Sequence, residues 1–247
     1  MKLSEMQRYE NYILSVLSKI CDESGIIYFL NCGSVLGAVR HNGPIPWDSD
    51  TDIIIPYNQI NLFCKECKKK LPEDLYFDFY TNNKYYYALF PRIGVKGYTT
   101  DRLHVDCFPL VGLPDEYEKQ KKFSKKSDFL KNLFFIKKSK NKRLLLKKML
   151  ILPISSCYIR KKFCDHCNKY DFENSRYVMN PCGHYGIKNI LSKEVFGAGK
   201  KVDYAGMKLR IPIKAEEYLT HYYGDYMKFP NDAKEMMMKD YVITVVK

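Results

Sequence analysis

The sequence predicts a mixed α/β (α+β) fold: a sheet core with flanking helices and one basic helical insertion. Two observations carry the class. Stretches with apolar residues every three or four positions alternate with short runs rich in β-branched and aromatic residues, the marks of packed helices and of strands. The chain of 247 residues, 46% of them hydrophobic, suffices for one ordinary domain with a substantial core. The insertion follows from charge. Residues 119–162 hold sixteen Lys and Arg against one acidic residue, Asp128, and the rest of the chain is nearly neutral, so this segment accounts for the net charge of +13.

Residues 4–24 read as an amphipathic helix, with Met6, Tyr9, Ile13, Val16, Leu17 and Ile20 on one stripe and Gly25 as the stop. Residues 26–31 read as a strand. Ser34 to Arg40 reads as a short helix entered through Gly33, and the NGPIP stretch breaks it. A strand follows through Asp52 and the Ile53-Ile54-Ile55 run, and a helix over 57–70 closes a βαβ-like unit. Residues 76–80, 85–95 and 103–110 read as further strands. Beyond the insertion, 201–205 and 207–211 form a hairpin around Gly206, and 215–223 a last helix ending at Gly224. The expected division is a core over 1–115, the insertion over 116–165, and a part over 166–247 that completes the same domain.

The most informative stretch is CGSVLGAVRHNGPIPWDSDTDIIIP, from Cys32 to Pro56. Asp48, Asp50 and Asp52 alternate, so on an extended strand all three project from one face. Carboxylates at the mouth of a buried strand repel one another unless a cation sits among them. A hard divalent ion such as Mg²⁺ takes its oxygens from one or two carboxylates plus substrate phosphates. Asp is depleted in strands, so three at alternate positions are not an ordinary polar strand end. Asp106 lies in an apolar run between Val105 and Cys107 and needs a cation, or a salt bridge to Arg92 or Arg102. Gly33 and Ser34 stand at a helix start, where free N–H groups and the helix dipole favour phosphate, although a plain N-cap serine looks the same. Arg40 and Arg92 carry guanidinium forks that match phosphate oxygens or make structural ion pairs. Trp47 either packs against the loop or stacks on a base or a cationic head group.

These features resemble the nucleotidyltransferase fold, in which a Gly-Ser turn opens a helix, Asp-x-Asp follows on the next strand, and a third carboxylate stands on a later one. Within that fold the chain resembles the LicD family of phosphotransferases, on GSVLGAVRHNGPIPWDSDTDI, VDCFPLVGLP and HYYGDYMKFP, in the family's order and across residues 32–230. Ser49 and Thr51 depart from the family's usual W-D-D-D-I-D; on a strand both point away from the carboxylate face. The resemblance implies an enzyme using Mg²⁺ (or Mn²⁺). Such an enzyme moves a phosphorylated alcohol, commonly phosphocholine from CDP-choline, to a hydroxyl of a cell-surface glycan such as lipopolysaccharide or teichoic acid, or of its lipid-linked precursor. It implies Asp50 and Asp52 as catalytic metal ligands and Asp48 and Asp106 as further ligands. Asp106 also orients or deprotonates the acceptor, while Gly33, Ser34, Arg40 and Arg92 serve the phosphates. Two rivals stay open: a nucleotide-sugar glycosyltransferase, whose Asp-x-Asp also holds a metal on a diphosphate, and an inactive core that docks on membranes as an adaptor.

The insertion interleaves its charges with Leu133-Phe134-Phe135-Ile136, Leu144-Leu145-Leu146 and the run from Met149 to Ile154. That composition suits either an anionic membrane surface or a solvated helical hairpin with a basic outer face; nucleic acid is not expected. The N-terminus lacks an apolar signal region, and no run reaches about 18 apolar residues. The nine cysteines are irregularly spaced and are expected as reduced thiols. The protein is accordingly expected in the cytoplasm, free or peripheral on the inner face of the cell membrane. Cys164, Cys167, Cys182 and His184 offer a Cys₃His set for zinc, but the second pair lacks ligand spacing, and small core residues look the same.

Overall fold

The computed structural model describes residues 1–98, 103–139 and 141–230. Helix α1 (Leu3–Glu23) buries Met6, Ile13, Leu14, Leu17 and Ile20. It stops where Gly25 takes φ 65°, a left-handed turn that glycine enters without steric cost. Strand β1 (Phe29–Leu30) leads through Cys32 into α2 (Gly33–His41), and β2 (Thr51–Pro56) follows. A 3-10 turn over Tyr57–Gln59 opens α3 (Ile60–Lys70), and β3 (Leu75–Asp78), β4 (Arg92–Val95) and β5 (His104–Leu113) come next. The basic segment forms α4 (Tyr117–Lys138), α5 (Leu145–Leu150) and α6 (Ser156–Cys167). The chain then makes β6 (Tyr177–Met179), β7 (Ile190–Ser192), the short α7 (Lys193–Phe196), β8 (Lys200–Tyr204), β9 (Met207–Ile211) and α8 (Ala215–Tyr223).

Seven strands form one mixed sheet in the order β1-β2-β5-β4-β3, with β6 on the far half of β5 and β7 beside β6. β2 and β5 run parallel, in register from Thr51↔Val105 to Pro56↔Leu110, and the other pairs are antiparallel. Both parallel strands are apolar runs covered on two faces, as parallel strands require. Helix α1 lies on β4 and β5 and against α3, while α4 pairs with α6. β8 and β9 form a separate hairpin whose turn residues, Ala205 and Gly206, both have positive φ, matching the right-handed twist of two paired strands.

Three expected strands change. The strand over 26–31 shrinks to Phe29 and Leu30, the residues that find ladder partners in Ile54 and Ile53. The strand over 85–95 begins only at Arg92. Before it the chain turns on Asn82 and Asn83, which accept the N–H groups of Phe79 and Tyr85, and Pro91 gives no N–H to a ladder. The carboxylate strand begins at Thr51, not at Asp48. Its partner enters at Val105 opposite Thr51, so the ladder has no rung for 48–50, and the Asp50 N–H bends back to Asp48 Oδ1 at 3.3 Å. β6, β7 and α7 were not anticipated. Phe134, one of the insertion's apolar residues, is 1% exposed and sits in the core; the apolar residues of the insertion that reach solvent include Phe135, Met149, Leu150 and Leu152. Arg102 and the side chains of Leu145 and Leu146 lie outside the described residues.

Candidate active site

β2 and β5 each open to a surface at one residue. In TDIIIP only Asp52 is not fully buried, and in HVDCFPLVGL only Asp106 is not. These two positions are register partners, so their carboxylates stand side by side on one sheet face. The row continues across β4, where Arg92 is the partner of Asp106, and across β3, where Asp78 is the partner of Arg92. Arg92 donates from Nε to Asp106 Oδ1 at 2.6 Å and from Nη2 to Oδ2 at 3.1 Å, a bidentate fork. Burial alone would lower the Arg92 pKa, but the hydrogen bond and charge of Asp106 raise it well above the ordinary value.

Asp48, Asp50 and Asp52 line one cavity with Gly33, Ser34, Asn180, His184 and Tyr223, although only Asp52 is on a strand. Burial, and then the charge of Asp50, push the Asp48 carboxyl up to about 6. Burial, followed by the charges of Asp106, Asp50 and Asp48, lifts Asp52 well above its ordinary value against the opposing pull of Arg92. The carboxylates therefore hold more negative charge than Arg92 balances. This is the chemistry of a hard-cation site, and a divalent ion fits it. Among the described residues no group of three or more His, Cys, Asp or Glu is arranged as a ready metal cage. Mg²⁺ needs none, since it keeps several waters and shares its remaining positions between one or two carboxylates and substrate phosphate.

The Gly-Ser turn is built around these carboxylates. A Cβ on Gly33 would lie 2.8 Å from Asp48 Oδ2, so glycine is what lets that side chain approach. Ser34 Oγ accepts the N–H of Asp52 at 2.9 Å, tying α2 to β2. The N–H groups of Ser34, Val35 and Leu36 are donated to Asn31 O and Cys32 O, so these three are taken up within the turn. Arg40 is turned elsewhere. It donates to Tyr226 O at 2.7 Å and Lys228 O at 3.1 Å, with Trp47 and Phe229 beside its guanidinium. It joins α2 to the HYYGDYMKFP block, and Trp47 packs in the same cluster against His41 and Phe229. Cys164 shares a hydrogen bond with Tyr80 Oη, Cys167 and Cys182 are buried, and His184 lines the carboxylate cavity; all nine cysteines are free thiols.

Three supports were missed in the sequence. Glu10 on α1 is 1% exposed and accepts the Thr51 hydroxyl at 2.9 Å on the sheet face opposite Asp52. Burial raises its pKa well above the ordinary value, the Thr51 hydrogen bond opposes this, and the charges of Asp50, Asp48 and Asp52 add to it. Its spacing from Met6, Ile13 and Leu17 puts it inside the apolar stripe of α1, and that was the available signal. Gln7, also on α1, donates to Ile45 O at 2.8 Å and Asp48 O at 2.9 Å and pins the carboxylate loop. Tyr218 on α8 donates to Asn31 Oδ1 at 2.9 Å and accepts the Cys32 N–H at 3.0 Å, bracing the turn from the far end of the chain.

Among the described residues no helix is long and apolar enough to cross a membrane. Comparison with known proteins agrees with the geometry. The family model described as LicD/FKTN/FKRP, nucleotidyltransferase domain, matches residues 25–153, more than half of the chain. The lipopolysaccharide cholinephosphotransferase LicD of Haemophilus influenzae is 25% identical over 246 residues, spanning 92% of each chain. The matched residues contain the Gly-Ser turn, the three loop and strand carboxylates, Arg92 and Asp106, and on that ground the chain belongs to the LicD family.

Proposed function

We propose that this protein is a metal-dependent phosphotransferase. It moves a phosphorylated alcohol, foremost phosphocholine from CDP-choline, to a hydroxyl of a cell-surface glycan or its lipid-linked precursor. One observation carries the reading: two otherwise buried parallel strands open only at Asp52 and Asp106, in register, beside a cavity lined by Asp48 and Asp50. The family supports phosphoryl chemistry there, and the name of the Haemophilus relative supports choline phosphate and a lipopolysaccharide-like acceptor.

Asp50 and Asp52, with Asp48 and Asp106 alongside, would hold a Mg²⁺ or Mn²⁺ ion, which would supply positive charge for the phosphate oxygens of the donor. The chain's own side chains position the reactants. Ser34, fixed through the Asp52 N–H, keeps its hydroxyl proton for a phosphate oxygen. The Arg92 fork holds the Asp106 carboxylate in one orientation, toward the acceptor hydroxyl. Positioning and charge stabilisation carry most of the rate in phosphoryl-type transfer, so little covalent work is asked of the protein. The insertion suits a lipid-linked acceptor. Met149, Leu150 and Leu152 are 62%, 83% and 71% exposed amid Lys and Arg, a surface complementary to an anionic leaflet. On this reading the enzyme works at the inner face of the cell membrane.

The test is incubation with a panel of CDP-alcohols and Mg²⁺, with CMP release as the readout. CDP-choline is expected to give the fastest release. Turnover of nucleotide sugars without CMP from any CDP-alcohol would favour the glycosyltransferase rival; turnover of neither would leave an inactive adaptor.

A further inference from the structure

Beside the carboxylate cavity lies a second one of about 660 Å³, inside the roughly 300–1,000 Å³ span of small-ligand sites. Phe108 and His184 line both, so the two meet there. Their carboxylates are divided between them. Asp48, Asp50 and Asp52 face the first, and Asp106 faces the second. One wall of the second chamber is α4, through Asp128, Lys131, Asn132 and Phe135. These fall at i, i+3, i+4 and i+7 and so share one helix face. Another face of α4 buries Phe123, Ser127, Leu130 and Phe134. The basic insertion therefore reaches into the site, and does not only stand beside it.

We propose that this chamber receives the terminal sugar of the acceptor glycan and presents its hydroxyl to Asp106. It is not the pocket for the donor's choline head group. This rests on the phosphotransferase reading and assigns the place of its second substrate. Charge decides between the occupants. Both carboxylates in the chamber already carry a cation: Arg92 grips Asp106, and Lys131 lies 2.9 Å from Asp128. The Arg92 guanidinium also sits 5.8 Å from the Tyr87 ring centre, where a quaternary ammonium would otherwise find its cation–π partner. A second cation would meet these two and gain little.

A neutral, hydroxyl-rich ligand meets no such obstacle. Phe135 and Tyr87 are 45% and 40% exposed, and their rings would offer apolar faces to the C–H side of a sugar ring. The Asn132 amide, the Asp128 carboxylate and the His184 ring offer both donors and acceptors to its hydroxyls. The donor phosphate, held on the Asp52 side, and a hydroxyl beside Asp106 would then approach each other at the junction of the two cavities.

Saturation-transfer NMR on the full chain tests this, with a panel of methyl hexosides and methyl N-acetylhexosaminides as probes and choline chloride as counter-probe. At least one glycoside is expected to bind, and Phe135→Ala and Asn132→Ala are each expected to weaken it about tenfold. In transfer assays the same variants should raise KM for a glycoside acceptor while KM for CDP-choline stays put. Glycoside binding untouched by both variants, no glycoside binding, or choline binding that disappears in the same variants overturns the assignment. If glycosides bind in the chamber but CDP-choline yields no CMP, the chamber assignment stands and the donor reading falls.

Discussion

Asp52 stands among like charges in a buried setting. The charges of Asp106, Asp50 and Asp48 act on it, and Arg92, which opposes them, is committed to Asp106. Asp52→Asn or Asp50→Asn should cut turnover by well over tenfold, with the circular dichroism of the fold unchanged; a loss under about tenfold, or about 1.4 kcal/mol, would show that neither carboxylate is a ligand. Asp48 makes a pH prediction. Its folded-state pKa lies near 6 against an ordinary 3.8, so between those values the native state binds more protons than the unfolded chain. Stability contributed by this group is therefore present at low pH and lost as pH rises toward about 6. Asp52 and Glu10 act in the same direction. In metal-free protein the urea midpoint should fall across that window, and fall less in Asp48→Asn. Equal slopes for the two proteins would mean that burial and like charge do not govern Asp48. The site carboxylates were legible in the sequence because Asp is out of place in apolar runs. Glu10 was equally out of place, but on a helix one polar residue in an apolar stripe is easily read as surface.

Strand and turn geometry set how the carboxylates meet. Alternation suggested that Asp48, Asp50 and Asp52 shared a strand face, yet alternation means this only where a partner strand exists to hold the chain extended. The ladder begins at Thr51, and the upstream carboxylates reach the cavity through a loop pinned by Gln7. Where the partner strand begins is a tertiary fact that no local pattern reveals. The same holds for β1, cut to two residues, and for the turn on Asn82 and Asn83 that replaced the start of an expected strand. Helices were read more closely, since Gly25 and Gly224 mark two ends by their positive φ. The α2 turn gives a test at this level. An alanine at 33 would crowd Asp48 Oδ2 at 2.8 Å, and the Asp48 side chain can swing aside more readily than backbone can move. Gly33→Ala should thus cost little stability but displace a carboxylate, weakening Mn²⁺ binding in paramagnetic titrations. Unchanged Mn²⁺ affinity together with unchanged melting would contradict that role for the glycine.

Across the whole molecule, segments far apart in the chain converge on one site. Helix α1 supplies Gln7 and Glu10, the insertion supplies a chamber wall, and α8 braces the turn through Tyr218. The cavity walls drawn from Asn180, His184, Asn189 and Tyr223 could not be read in advance, because loops far apart in sequence contribute them. The charge imbalance could be read, and it yields a further prediction. Each Lys or Arg close to an anionic leaflet contributes about 1 kcal/mol, fading within a Debye length of about 10 Å at 0.1 M salt. The protein should bind vesicles containing anionic lipid, leave them in high salt, and bind less after Leu150→Asp and Leu152→Asp. Equal binding to neutral and anionic vesicles would rule out the electrostatic contribution. The most direct measurement of all is the mass of the product. With CDP-choline, Mg²⁺ and a glycan acceptor, mass spectrometry should find the acceptor heavier by one phosphocholine, with CMP released in equal amount and neither product formed by Asp52→Asn. An acceptor gaining a sugar or a nucleotide instead, or phosphocholine transfer undiminished in Asp52→Asn, would contradict a phosphotransferase built on this carboxylate row.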